Sequence, residues 1–217
     1  AIIGAVAFSQ IDDGDLSISF DDDDRPKVSE TFDLTGFDRI DVAGVYELEV
    51  TVGSDFSVEI SGPEDEMARV ETKVEDGVLV LGQRKRERGE KRFKREGVTA
   101  EISMPALNGL DISGVVDGEI SGIAADGFSV DLSGVGDIEL LGTCSALNAR
   151  VSGVGELDAE GLECETVMVS VSGVGEAAVY ASQSAEAHIS GMGEIEIYGS
   201  PPDVQKHGGM FSNIEVK

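Results

Sequence analysis

The chain has 217 residues, 41% hydrophobic and only 5% aromatic, with 28 glycines and no tryptophan; so few aromatics argue against a deep aromatic ligand pocket. Its formal net charge of −27 repels nucleic-acid phosphates and anionic membrane surfaces and favours cationic partners, Ca²⁺ among them. It has no run of about 18 apolar residues, so no transmembrane helix is expected.

The first residues, Ala1 to Ala7, are apolar and end in Ala5-Val6-Ala7, like the tail and cleavage site of a secretory signal. Residues 1–29 read as an acidic N-terminal segment, partly disordered, in which Asp12, Asp13, Asp15 and Asp21 to Asp24 are exposed. Leu16, Ile18 and Phe20 alternate within it as a lone edge strand. Residues 30–217 read as one all-β unit.

Ile40, Val42, Val45, Leu48 and Val50 match a repeat that is clearer further along, with Ala43-Gly44 at its corner and Glu47 at its acidic position. This segment predicts a first coil. A break follows at about 53–100, read as an inserted strand and helix cap. Phe56, Val58 and Ile60 alternate as a strand. Pro63 to Val70 opens with proline and an acidic turn, which suits a short helix. Val78 to Leu81 is a further strand. Then comes a basic run, Arg84, Lys85, Arg86, Arg88, Lys91, Arg92, Lys94 and Arg95, which holds eight of the 16 Lys and Arg residues. Lying between strands, it predicts a mobile hairpin tip, either solvated or docking on an anionic partner.

Residues 101–199 carry a repeat of Ser-Gly-hydrophobic-Gly-acid. Its copies begin at Ser113, Ser133, Ser152, Ser172 and Ser190, spaced 20, 19, 20 and 18 residues apart. Ile112, Leu132, Val151, Val171 and Ile189 precede the serines. Seven residues after them come Ile120, Leu140, Ala159, Val179 and Ile197. Two residues after come Val115, Val135, Val154, Val174 and Met192, read as further buried positions. Alternation on both sides of the motif means strands with one buried face. Such short strands cannot bury that face alone, but stacked coils can. The fold class is therefore all-β, a right-handed parallel β-helix with coils of about 20 residues. The motif glycines are read as sharp bends of positive φ, with second corners at Gly122, Gly142, Gly161 and Gly199. At the C-terminus Gly208 to Ser212 departs from the motif.

The register makes contact predictions. Asp117, Asp137, Glu156, Glu176 and Glu194 stack as a carboxylate ladder, either a solvated face or a surface for Ca²⁺ or a basic partner. A second row is Glu119, Glu139, Asp158 and Glu196. Cys144 and Cys164 each lie eight residues before a motif serine, so adjacent coils bring them within disulfide reach. His188 and His207 are distant in sequence and show no zinc-ligand spacing. The five repeated serines have no histidine at a fixed relation to them and do not read as nucleophiles.

The run Phe37 to Val45 (FDRIDVAGV), the strand Gly77 to Leu81 (GVLVL) and the repeated SGVGD and SGVGE motifs resemble the bacterial head GIN domain family. This is a domain of unknown function that carries an autotransporter-adhesin label, and the resemblance covers about residues 30–217. It implies an exported or envelope-associated β-solenoid and offers no catalytic residues to transfer. The expected function is a non-enzymatic interaction or scaffold module of the bacterial envelope with no cofactor, binding a protein or polysaccharide there or a further copy of itself. The alternatives are a carbohydrate-active β-helix enzyme and a Ca²⁺-stabilised surface protein. An enzyme would pair two acids with Arg or Lys in a groove, whereas Arg150 and His188 stand on separate coils.

Overall fold

The computed structural model describes residues 26–85, 97–209 and 212–217. The acidic residues of the N-terminal segment, the Leu16–Phe20 strand and the signal-like start lie outside the described residues. The strands are β1 (Lys27–Phe32), β2 (Arg39–Ala43), β3 (Val45–Val52), β4 (Ser57–Pro63), β5 (Val70–Glu75), β6 (Val78–Gln83), β7 (Val98–Met104), β8 (Gly109–Ile112), β9 (Val115–Leu132), β10 (Val135–Val151), β11 (Val154–Val171), β12 (Val174–Ile189), β13 (Met192–Tyr198), β14 (Asp203–Gly208) and β15 (Ser212–Val216), with one short helix, α1 (Glu64–Met67).

The expected parallel solenoid is present. β8 pairs with β9, and β9 through β12 pair in sequence, all parallel. β12 then pairs with β13 and β14, and β13 with β15. The long strands bend midway, where the register slips, as between Glu139 and Gly142 of β10. The inward columns are the predicted aliphatics: Ile120, Leu140, Ala159, Val179 and Ile197 are all 0% exposed. Despite its altered motif the last coil keeps register, with Ile195 on Ile214 and Ile197 on Val216.

The residues two after each serine are not core. Val154, Val174 and Met192 are 52%, 49% and 58% exposed. They share the parity of the acids that follow them, so they point outward with those acids. The inward position beside them is the second motif glycine, as at Gly136, Gly155, Gly175 and Gly193.

The first motif glycines are there for a different reason from the one expected. Gly114, Gly134, Gly153, Gly173 and Gly191 are not among the positive-φ residues. Instead the coils approach so closely that a Cβ on Gly153 would stand 1.8 Å from the Gly134 carbonyl oxygen, and one on Gly173 2.0 Å from that of Gly153. Within the repeat, positive φ falls instead on the second motif glycines Gly136 and Gly155 and on the corner glycines Gly122, Gly142 and Gly199, but not on Gly161. The motif serines stitch the same corner: Ser133 Oγ donates to the Ile112 carbonyl at 3.1 Å.

The predicted first coil is real, since β2 and β3 lie in register on β8 and β9, Ile40 on Leu110 and Val45 on Val115. The inserted segment supplies more than a cap. β6 and β7 run parallel to β2 and β3 on their other side and form one further coil. Only then do antiparallel partners close the end, β5 on β6, β4 on β7 and β1 on β4, so the solenoid's edge is covered. β6 and β7, which flank the basic run, each pair with other strands, and the tip expected there, residues 86–95 of that run, lies outside the described residues. The run interrupts a coil, between Gly82, which pairs with Ala43, and Val98, which pairs with Tyr46. Neighbouring coils have their tight Ser-Gly corner at this place.

Two anchors hold this end. Tyr46 is fully buried and its hydroxyl donates to the Gly82 carbonyl at 2.8 Å. Burial pushes its phenol pKa up, so it stays neutral. In the cap, buried Glu66 pairs with Arg69, whose guanidinium also donates to the Arg84 carbonyl at the foot of the basic run.

Candidate functional site

With aliphatic side chains filling the coils, functional chemistry lies on the outside. On the strand segments that follow the Ser-Gly corner, three outward rows run side by side along the axis, each step being one coil, about 4.8 Å.

The first row is apolar: Val45, Val115, Val135, Val154, Val174 and Met192, each on the next in register. The second is the predicted ladder, with Glu47 on Asp117, and Asp137, Glu156, Glu176 and Glu194 in successive register. The third comprises Glu49, Glu119, Glu139, Asp158, Ala178 and Glu196. Neutral donors close the second row at both ends: Thr99 Oγ1 donates to Glu47 Oε2 at 3.0 Å, and Asn213 Nδ2 to Glu194 Oε1 at 2.7 Å.

Within the ladder, partial burial and then the neighbouring carboxylates raise the pKa values of Asp117 and Glu156. For Asp117 a hydrogen bond from the Asp137 backbone offsets part of the rise, ahead of the charges of Asp137 and Glu47 that add to it; on Glu156 the charges of Asp137, Glu176 and Asp158 act. At the C-terminal end Lys217 Nζ lies 2.7 Å from Glu196 and 2.8 Å from Glu215. Its hydrogen bonds lower the pKa values of both carboxyls. The ladder is therefore electrostatically loaded in its middle, while at the C-terminal end Lys217 neutralises Glu196 of the third row.

The strand segments that precede the Ser-Gly corner carry a mixed row: Asp41, Asp111, Asp131, Arg150, Ser170, His188 and His207. Arg39 Nη2 reaches Asp111 Oδ2 at 3.4 Å and Ser129 Oγ at 3.3 Å. Asp41 titrates high, through burial first and the Asp111 charge second. Sequence distance conceals the two histidines, yet β14 stacks directly on β12 and brings them together, ring centroids 4.4 Å apart. Their one-coil offset was readable only if the irregular last coil kept its register.

The remaining expected site residues divide. Cys144 and Cys164 form a disulfide with Cα atoms 4.5 Å apart, clipping β10 to β11. Of the basic run, Arg84 and Lys85 are seen at its foot. Arg86, Arg88, Lys91, Arg92, Lys94 and Arg95 lie outside the described residues.

The family model described as "Putative auto-transporter adhesin, head GIN domain" matches residues 36–201. The chain belongs to the head GIN domain family. A crystal structure of a putative adhesin from Bacteroides fragilis superposes on this head GIN domain with a TM-score of 0.73 at 26% identity, covering 88% of this chain and 97% of that one. A putative adhesin from Parabacteroides distasonis shares the fold at 18% identity, TM-score 0.53, covering 89% and 98%. No curated protein matches the chain. Family and structural neighbours are thus named as adhesins, which supports an adhesin-like role for this head GIN domain.

Proposed function

We propose that this head GIN domain is a non-enzymatic, exported interaction module of the bacterial envelope, and that its three-row face holds a cationic envelope protein. The observation that carries the reading is the adjacency of an exposed Val and Met ridge to two carboxylate rows at a constant coil step. A partner surface of Lys or Arg beside apolar groups complements both. The disulfide between Cys144 and Cys164 suits an oxidising compartment outside the cytoplasm.

A carbohydrate-active enzyme would hold one acid protonated in an enclosure. The acids of the mixed row are instead on the outer surface, with Asp111 tied to Arg39. The basic run at 84–95 carries chemistry that a second copy could bring to the same face, so self-association is the competing outcome.

Binding to immobilised envelope protein is the test, with light scattering to read self-association. Glu156→Gln/Glu176→Gln and Val154→Ser/Val174→Ser should each weaken capture, the first with a reduced salt dependence. Unchanged capture by both variants would end the proposal.

A further inference from the structure

The row that holds the two histidines has no part in the proposed recognition face. Glu186 and His188 are two residues apart on β12, so they project on the same side. His207 on β14 is the register partner of His188, and Gln205 that of Glu186. The imidazoles stack at 4.4 Å with an interplanar angle of 20°. His188 Nε2 lies 3.4 Å from Glu186 Oε1. One donor atom from each of the three residues lies within 4.8 Å of the other two.

We infer that Glu186, His188 and His207 form a binding site for a divalent transition ion, Zn²⁺ being the best match. Two imidazoles and a carboxylate suit a borderline ion, whereas Ca²⁺ prefers six or more oxygens. Bonds of about 2.0–2.1 Å would draw the donors to roughly 3.4 Å from one another. The side chains have the freedom to make that adjustment, because both histidines are exposed and Glu186 is only partly buried. Lys206, the cation carried by β14, does not compete, since its amine donates across the coil end to the Ile214 carbonyl at 3.0 Å. Three protein donors leave the fourth tetrahedral position facing solvent. The ion would also tie β14 to β12, fastening the last coil.

The acidic trio Glu194, Glu196 and Glu215 offers a comparable cluster, but Lys217 already holds two of its members.

The chain has only two histidines, and both are in this site. The test is titration of chelator-treated, tag-free protein with Zn²⁺ alone, followed by calorimetry and by the imidazole proton resonances. One equivalent should bind, and both histidine resonances should move together. His188→Ala and His207→Ala should each weaken binding by at least about tenfold. Glu186→Gln should weaken it less. Failure of both resonances to shift at about 1 mM Zn²⁺ would overturn the site. So would equal affinity in the His188→Ala/His207→Ala variant. The resonance readout uses the unaltered protein and does not depend on any variant folding.

Discussion

Replacing Gly153 with alanine isolates what the repeat glycines are for. Its Cβ would lie 1.8 Å from the Gly134 carbonyl oxygen and 2.9 Å from the Gly134 and Ser133 carbonyl carbons. An ordinary contact is more than 1 Å longer, and the obstacle is backbone, which cannot rotate away. The two coils must part at this corner, which is held by Ser152 N to Leu132 O at 2.9 Å and Val154 N to Gly134 O at 3.0 Å. Two weakened backbone bonds at about 1 kcal/mol each, plus about 1–3 kcal/mol of overpacking, give a loss of roughly 3–5 kcal/mol. Gly127 is the internal control. A Cβ there meets nothing within 4 Å, its φ is not positive, and the next coil already has Ala146 in register with it. Gly127→Ala should be neutral or stabilise by up to about 1 kcal/mol. Urea unfolding of the two variants reads the contrast directly. Equal stabilities would refute the close-approach account.

Removing the disulfide with Cys144→Ala/Cys164→Ala frees a loop spanning a sequence separation of 20, and the loop-closure relation puts the loss at about 3 kcal/mol; urea midpoints with and without the bridge measure it. The ladder makes a pH prediction. The folded-state pKa of Glu156 is raised, first by burial and then by neighbouring carboxylates, so its ionisation opposes folding above that pKa. The opposition fades as pH falls through the raised value, because the native state then takes up the proton before the unfolded chain does. Glu156→Gln should therefore be more stable than the parent at neutral pH, with the gap closing in acid. Thermal melts at the two pH values check the sign.

Much of the architecture was legible because the coil is one repeat. The aliphatic columns through Ile120 and Leu140, the extra coil at Arg39–Val50 and the pairing of Cys144 with Cys164 all follow from a single alignment on the motif serine. Where strand parity was ignored the reading failed. Val154 and Val174 look like core by hydropathy, but they share the face of Glu156 and Glu176. The glycines misled for a related reason, since local sequence cannot tell a residue that needs positive φ from one pressed against a neighbouring coil. The N-terminal end was hardest to read. The chain lays down β2 and β3, then the antiparallel cap, then β6 and β7 beneath them, before returning to β8. Coil order therefore differs from chain order, and no local signal marks the exchange. The histidine pair stayed hidden because Gly208 to Ser212 broke the motif while the backbone kept the register.

The central claim is that recognition belongs to the Val and carboxylate face. The decisive measurement compares affinity for immobilised envelope protein between Glu156→Gln/Val174→Ser, which alters that face, and Arg150→Gln/Asn148→Ser, which alters the mixed face, with thermal melts showing both folded. The account predicts a loss of about tenfold or more, roughly 1.4 kcal/mol, for the first pair alone. Equal affinities, or a loss confined to the second pair, would contradict it.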